Sequence, residues 1–274
     1  MRGDVLILNS VTQLTARADH AVAYCASHAG QFAAAVALQA RLRAVILNDA
    51  GVGLRQAGIA SLAILARYGI PAATISHRSA RIGDGRDGYE RGRISYVNSA
   101  ASALGVRVGH SCQAALHLLA ERAAAPSEPQ SDAPHVVQRR RHIYLGGVGL
   151  VVLVDSNSLL TQSDAGHFVV CGSHGAVLGN DPRSAVPAEV RAIVFNDADR
   201  GVDDAGISRL PALDQRGIPA ACVSAWTACI GDARSSLETG IISALNRVAR
   251  DHGAEPGMTT QEFLQRLAAR LSAG

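Results

Sequence analysis

The chain has 274 residues, 48% of them apolar, with 26 basic and 23 acidic side chains that leave a formal net charge of +3. This length and apolar content suit two domains with buried cores better than one. Every basic residue is an arginine, which excludes Schiff-base and P-loop lysine chemistry, and the single arginine run, Arg139-Arg140-Arg141, has too few aromatics near it to suggest a nucleic-acid partner.

No apolar run reaches the ~20 residues of a membrane span, and no basic region precedes an apolar stretch at the N-terminus. The expectation is a soluble cytoplasmic protein with no membrane partner. Cys25, Cys112, Cys171, Cys222 and Cys229 form no CxxC pair, and Cys25 and Cys171 sit in apolar runs. They read as small buried residues rather than a disulfide framework or a zinc ribbon.

From the N-terminus, Val5 to Leu8 is a short apolar run expected as a buried strand. Ala21 to Cys25 is a second strand ending at Ser27-His28-Ala29-Gly30. Residues 31–42 (QFAAAVALQARL) are alanine-rich, free of Gly and Pro, and expected as helix. Ala44 to Leu47 is a third strand ending at Asn48-Asp49, followed by helical spacing from Ala57 to Tyr68 that stops at Gly69. Pro71 to Ile75 is a fourth strand ending at Ser76-His77, and beyond a glycine-rich loop Tyr89 to Leu104 reads as one long amphipathic helix closed by Gly105.

Residues 124–142, rich in Pro, Ser and charge, read as a linker. Gly146-Gly147-Val148-Gly149 precedes a strand instead of following one, so it is not a dinucleotide fingerprint. The order of elements recurs from Val151 to Gly253, except that residues 177–190 (VLGNDPRSAVPAEV) hold Pro182 and Pro187 and are expected as loop. Thr259 to Leu271 reads as a final amphipathic helix. Alternating strands and helices predict an α/β fold of two tandem homologous βα domains, each a mainly parallel sheet flanked by helices, over residues 1–123 and 143–274.

The two stretches repeat one another. VILNDAGVGLRQAGI at 45–59 recurs as IVFNDADRGVDDAGI at 193–207, Ser27-His28 as Ser173-His174, and Ile82-Gly83-Asp84 as Ile230-Gly231-Asp232. The pattern implies an internal duplication. Two similar domains in one chain mimic a homodimer, and further self-association into a homo-oligomer is compatible with that plan.

In an open parallel sheet, ligands bind beyond the carboxyl ends of the strands. Ser27-His28, Asn48-Asp49 and Ser76-His77 all fall at such ends, which makes Ser27, His28, Asp49 and His77 candidate catalytic residues, with Ser173, His174 and Asp197 in the second copy. A capping role for the two serines and an Asx turn at each Asn-Asp pair are the structural alternatives. Arg81, with its planar fork, is the candidate for an anionic substrate group, and Asn48, Asp84, Asn196 and Asp232 are further substrate-binding candidates. The second copy has Ala225 in place of His77 and Cys229 in place of Arg81. Asn98 and Asn246, each three residues after a serine, are expected on one helix face with that serine.

No cofactor is assigned. His28, Asp49, His77 and Asp84 form a set able to bind a divalent metal, but their spacing matches no short metal signature, so none of them is named a metal ligand. Three functional readings stand. The first is an enzyme acting on a small polar, anionic metabolite, with hydrolysis of an amide or related C–N bond as the leading reaction. The second is lyase or isomerase chemistry with His28 as proton carrier. The third is a non-catalytic small-molecule binding or regulatory protein that clasps its ligand between the two copies.

Overall fold

The computed structural model describes residues 5–15, 18–125 and 137–271. Its first half runs β1 (Val5–Leu8), β2 (Val22–His28), α1 (Gln31–Gln39), β3 (Ala44–Asn48), α2 (Ala60–Arg67), β4 (Ala72–Ile75), α3 (Gly85–Arg91), β5 (Ile94–Val97), α4 (Ser99–Ala103) and α5 (Cys112–Arg122). The second half runs β6 (Arg140–Leu145), β7 (Gly149–Val154), β8 (Phe168–His174), β9 (Ala192–Asn196), α6 (Arg209–Asp214), β10 (Ala220–Val223), α7 (Ala233–Glu238), β11 (Ile242–Leu245), α8 (Arg247–Asp251) and α9 (Thr260–Leu271).

Each half is an α/β domain. In the first, β1 to β4 lie side by side in chain order and parallel, and β5 closes the edge antiparallel to β4. In the second, β7 to β10 repeat that parallel order, β11 repeats the antiparallel edge, and β6 adds an antiparallel strand beside β7. The inner strands are mostly apolar up to their carboxyl ends because helices cover both faces: all five residues of β3 and of β9 are buried, the terminal Asn48 and Asn196 included. In the first half α1 and α2 pack on one face, with Ala33, Ala34, Ala37, Leu62 and Leu65 against Ala23, Cys25, Val45 and Leu47. The opposite face carries α5, whose Leu116 and Leu119 meet Tyr24, Ile46 and Ile75.

Three expectations from the sequence are corrected. The helix expected from Tyr89 to Leu104 is two short helices separated by β5, because Ile94-Ser95-Tyr96-Val97 supplies a strand that pairs with β4. Ser95 and Asn98 consequently do not share a helix face. Asn98 caps α4 instead, its Oδ1 accepting from the Ala101 and Ala72 amides at 2.9 and 3.0 Å while its Nδ2 donates to the Ile70 carbonyl at 2.9 Å. Asn246 makes the corresponding bonds to Ala249, Ala220 and Ile218. The end expected for the linker is β6, in which Arg140 pairs with the buried Asp164; residues 126–136 lie outside the described residues. Gly146 to Val148 form the β6–β7 turn.

One irregularity matters for the site. Regular pairing from Tyr24↔Ile46 would set Ala26 opposite Asn48, yet His28 stands there, and β8 does the same with His174 opposite Asn196. Extra residues in one strand bend it and re-aim its side chains. The freed Ala26 and Gly172 carbonyls accept from Gly83 and Gly231, at 2.9 and 2.7 Å. This gives a physical reason for Ile-Gly-Asp standing in both halves.

The halves meet at the carboxyl edges of their sheets about an approximate two-fold axis. The Leu54 amide donates to the Ala225 carbonyl at 2.7 Å, and the corresponding Val202 amide donates to His77 at 2.8 Å. Between them Ala50, Ile82, Ala176, Ala198, Ala205 and Ile230 form one apolar cluster. Gly51 and its counterpart Asp199 face each other here: Gly51 has φ +73°, and a Cβ on it would lie 2.1 Å from that of Asp199. Gly51→Ala is expected to lower stability by about 1–3 kcal/mol through collision and backbone strain. Denaturant titration of Gly51→Ala, Asp199→Gly and the double variant checks this. The double variant is expected to lose less than the two single losses together, whereas additive losses would contradict the contact.

Candidate functional site between the two halves

His28 and His174 end β2 and β8 and approach each other edge to face, ring centroids 6.3 Å apart. Burial drives the His28 pKa from its ordinary 6.5 to about 4, so its ring is neutral at physiological pH. His174 is held well below its ordinary value by burial first, then by the Arg209 charge and by His28. The His174 Nδ1 accepts from the Ala176 amide at 3.2 Å, whereas the buried His28 Nδ1 has no partner among the described residues. The His28 Nε2 edge lies between two glycines: a Cβ on Gly30 would stand 2.9 Å from it, and one on Gly231 3.2 Å. Glycine at both places leaves that edge open to approach.

The neighbouring serines are otherwise engaged. Ser27 and Ser173 are buried, and their hydroxyls accept from the Val11 and Asn157 amides, both at 3.0 Å. They tie the loops after β1 and β7 to the following strand, and neither lines a cleft.

Both Asn-Asp pairs form Asx turns. Asn48 and Asn196 accept from Ala50 and Ala198 at 2.9 Å, and Asp49 and Asp197 accept from Gly51 and Asp199 at 3.2 and 2.9 Å. Asp49 orients His77 rather than His28: its Oδ1 meets the His77 amide at 2.9 Å and ring Nδ1 at 2.7 Å, while the ring's Nε2 faces Asp199 of the other half at 3.1 Å. Burial opposes charge on Asp49, but the His77 hydrogen bonds outweigh it and hold the carboxyl below its usual range. For Asp197, with Ala225 opposite, burial wins over the Ser243, Ala225 and Asp199 hydrogen bonds and the pKa rises. Trp226 donates its indole N–H to Asp199 at 3.0 Å. His77 and Trp226 thus converge on one carboxylate at the junction, away from both clefts described next.

Two clefts flank the junction, of about 440 and 380 Å³. The larger is lined by His28, Gln31 and Arg55 of the first half and by Arg139, Asp155, Cys229 and Asp232 of the second, among others. Apart from Asn180, each lining residue of the smaller cleft is the counterpart of one in the larger: Arg81 of Cys229, Asp203 of Arg55, Val177 of Gln31, Ser208 of Ala60. In the smaller cleft the charges satisfy one another. Arg81 pairs with Asp203 at 2.8 Å, and Asn180 donates to Asp84 at 2.7 Å. In the larger, the exposed guanidinium groups of Arg55 and Arg139 make no ion pair among the described residues, although the Arg139 charge favours the ionised form of Asp155. Asp155 accepts from the Arg139 and Ala233 amides at 2.8 and 3.1 Å, yet burial keeps its pKa raised.

The structure therefore brings together His28 and Asp232 in one cleft, Arg81 in its twin with Asp84 bonded to the lining residue Asn180, and Asp49 with His77 at the junction. It does not gather His28, Asp49, His77 and Asp84; among the described residues no group of three or more His, Cys, Asp or Glu is placed to hold a metal ion. Arg55, Arg139, Asp155 and Cys229 are lining residues that the strand-end argument passed over. A signal for Arg55 was present: positions 55 and 229 read Arg and Cys where their counterparts 203 and 81 read Asp and Arg, the pair that forms an ion pair across the halves. Comparison with protein-family models, curated proteins and solved structures finds no match. No helix among the described residues is long and apolar enough to cross a membrane.

A depressed histidine pKa links stability to pH. The unfolded chain binds a proton at position 28 near pH 6.5, the folded chain only near pH 4, so this stabilisation is complete above 6.5 and is lost as pH falls towards 4. The loss from His28 amounts to at most about 3 kcal/mol. Denaturant titrations between pH 7 and 4 are expected to show a shallower fall in His28→Gln than in the natural chain. Parallel curves would contradict a buried neutral His28.

Proposed function

We propose that this protein is an enzyme that binds a small polar, anionic metabolite in the larger cleft between its halves and acts on it by proton transfer through His28. The observation that carries this reading is the meeting, in one cleft, of an accessible neutral imidazole edge with two arginines that lack carboxylate partners among the described residues. A cavity of about 440 Å³ suits a small metabolite. Arg55 and Arg139 supply the positive charge that binds and orients the anion. A neutral histidine can take a proton from a substrate or donate one through its N–H, the role required of a lyase or isomerase.

A second reading, hydrolysis of an amide or related C–N bond, rests on Cys229. The Ser27 hydroxyl is engaged with the Val11 amide; the half-buried Cys229 thiol, which donates to the Leu54 carbonyl at 3.6 Å, lines the same cleft as His28, and a thiol and an imidazole in one cleft are the parts of a nucleophile–base pair. Cys229→Ala separates the two readings. Proton transfer survives it, and thiol-dependent hydrolysis does not.

The direct test is an NMR screen of small carboxylate metabolites for binding and turnover. Arg55→Gln is expected to weaken binding at least tenfold, and His28→Gln to lower turnover at least a hundredfold with binding retained. Because the His28 pKa lies near 4, the rate on the free enzyme is expected to be level above about pH 5 and to fall below it. A ligand bound with equal affinity by the natural chain and the Arg55 variant would contradict the assignment of the cleft.

A further inference from the structure

We infer that the ligand of the larger cleft carries an N–H donor group, such as a primary amide, ureido or amino group, set against an acidic group: Asp232 receives the first and Arg55 the second. This rests on the larger cleft being the ligand site.

The smaller cleft serves as the template. There Asp84 uses one carboxylate oxygen to cap α3, accepting from the Asp87 amide at 3.0 Å, and offers the other to the Asn180 carboxamide at 2.7 Å. Asp84 is 8% exposed as a result. Asp232 caps α7 in the same way, with Oδ1 accepting from the Arg234 and Ser235 amides at 2.9 and 3.1 Å. Its Oδ2 has no partner among the described residues, and the side chain is exposed. The difference traces to the segment after each histidine. In the second half it is a loop on which Asn180, at φ +58°, is placed by the Gly179 amide donating to Gly83 at 2.8 Å. In the first half α1 occupies that place, and its Gln31, which lines the cleft, makes no hydrogen bond to Asp232 among the described residues.

The acid follows from the same comparison. Asp203 gives its carboxylate to Arg81 at 2.8 Å and lies 3.4 Å from Arg91. Its counterpart in the larger cleft is Arg55, with Cys229 lining the cleft where Arg81 would stand. The protein thus makes both pairings itself in one cleft, Asn180 with Asp84 and Asp203 with Arg81, and leaves Asp232 and Arg55 without them in the other. A molecule bearing the two groups completes the larger cleft with the pairings already made in the smaller one. A diacid held by Arg55 in the same pose would set its second carboxylate against Asp232, charge against like charge.

The His28 ring resonances report on the larger cleft and can be followed while malonamate, succinamate and N-carbamoylglycine are titrated against malonate and succinate. The amide acids are expected to bind at least tenfold more tightly than the diacids. Asp232→Asn is expected to erase or invert that preference, Arg55→Gln to weaken both classes, and Asn180→Ala, which alters only the smaller cleft, to leave the preference intact. Equal binding of both classes, or a preference that Asp232→Asn leaves unchanged, overturns the inference while Arg55-dependent binding keeps the site. If neither class moves the His28 signals, the cleft assignment falls with it.

Discussion

The carboxyl edges of two parallel sheets face one another, and almost everything specific about this protein follows from that constraint. Strand-end loops are polar, so burying them against a second copy requires that their backbone groups find partners. They do so reciprocally, Leu54 to Ala225 and Val202 to His77, with small residues such as Ala50 and Ala198 allowing the approach. The displaced register that ends β2 and β8 then turns both histidines into the gap. Removed from water in this way, the rings lose their tendency to protonate.

A symmetric junction would yield two equal clefts, and the chain departs from symmetry at a few positions with large consequences. Asp199 takes the space that Gly51 leaves and gathers His77 and Trp226. Asp203 neutralises Arg81, and Asn180 covers Asp84. One cleft is thereby satisfied from within, while the other is left with charges that await a partner. Arg55, Arg139 and Asp232 are exposed at the mouth of that cleft, where their charges are free to meet a ligand.

Much of the architecture was legible in the sequence because apolar runs between turn residues are short and strongly periodic. The inner strands lie at the positions their apolar residues predict. The segment from Tyr89 to Leu104 misled because Ser95, Tyr96 and Asn98 have no strong helical bias, and only the edge of β4 decides between strand and helix. The polar dipeptides at the strand ends were correctly placed at the sheet edge, but their division of labour was not readable. Whether Asp49 turns to His28 or to His77, and whether Arg81 meets a ligand or Asp203, depends on the other half of the molecule.

The larger cleft is open to small molecules while the rest of the junction is closed. Four of the five cysteines are buried, and Cys229 lines that cleft. Brief treatment of the folded protein with a small thiol reagent such as iodoacetamide, read out by mass spectrometry, is therefore the most direct measurement. A single modification at Cys229, slowed by millimolar succinamate, is the predicted result. Labelling of Cys229 at the same rate with and without the amide acids and diacids, or labelling spread over the buried cysteines, would contradict it.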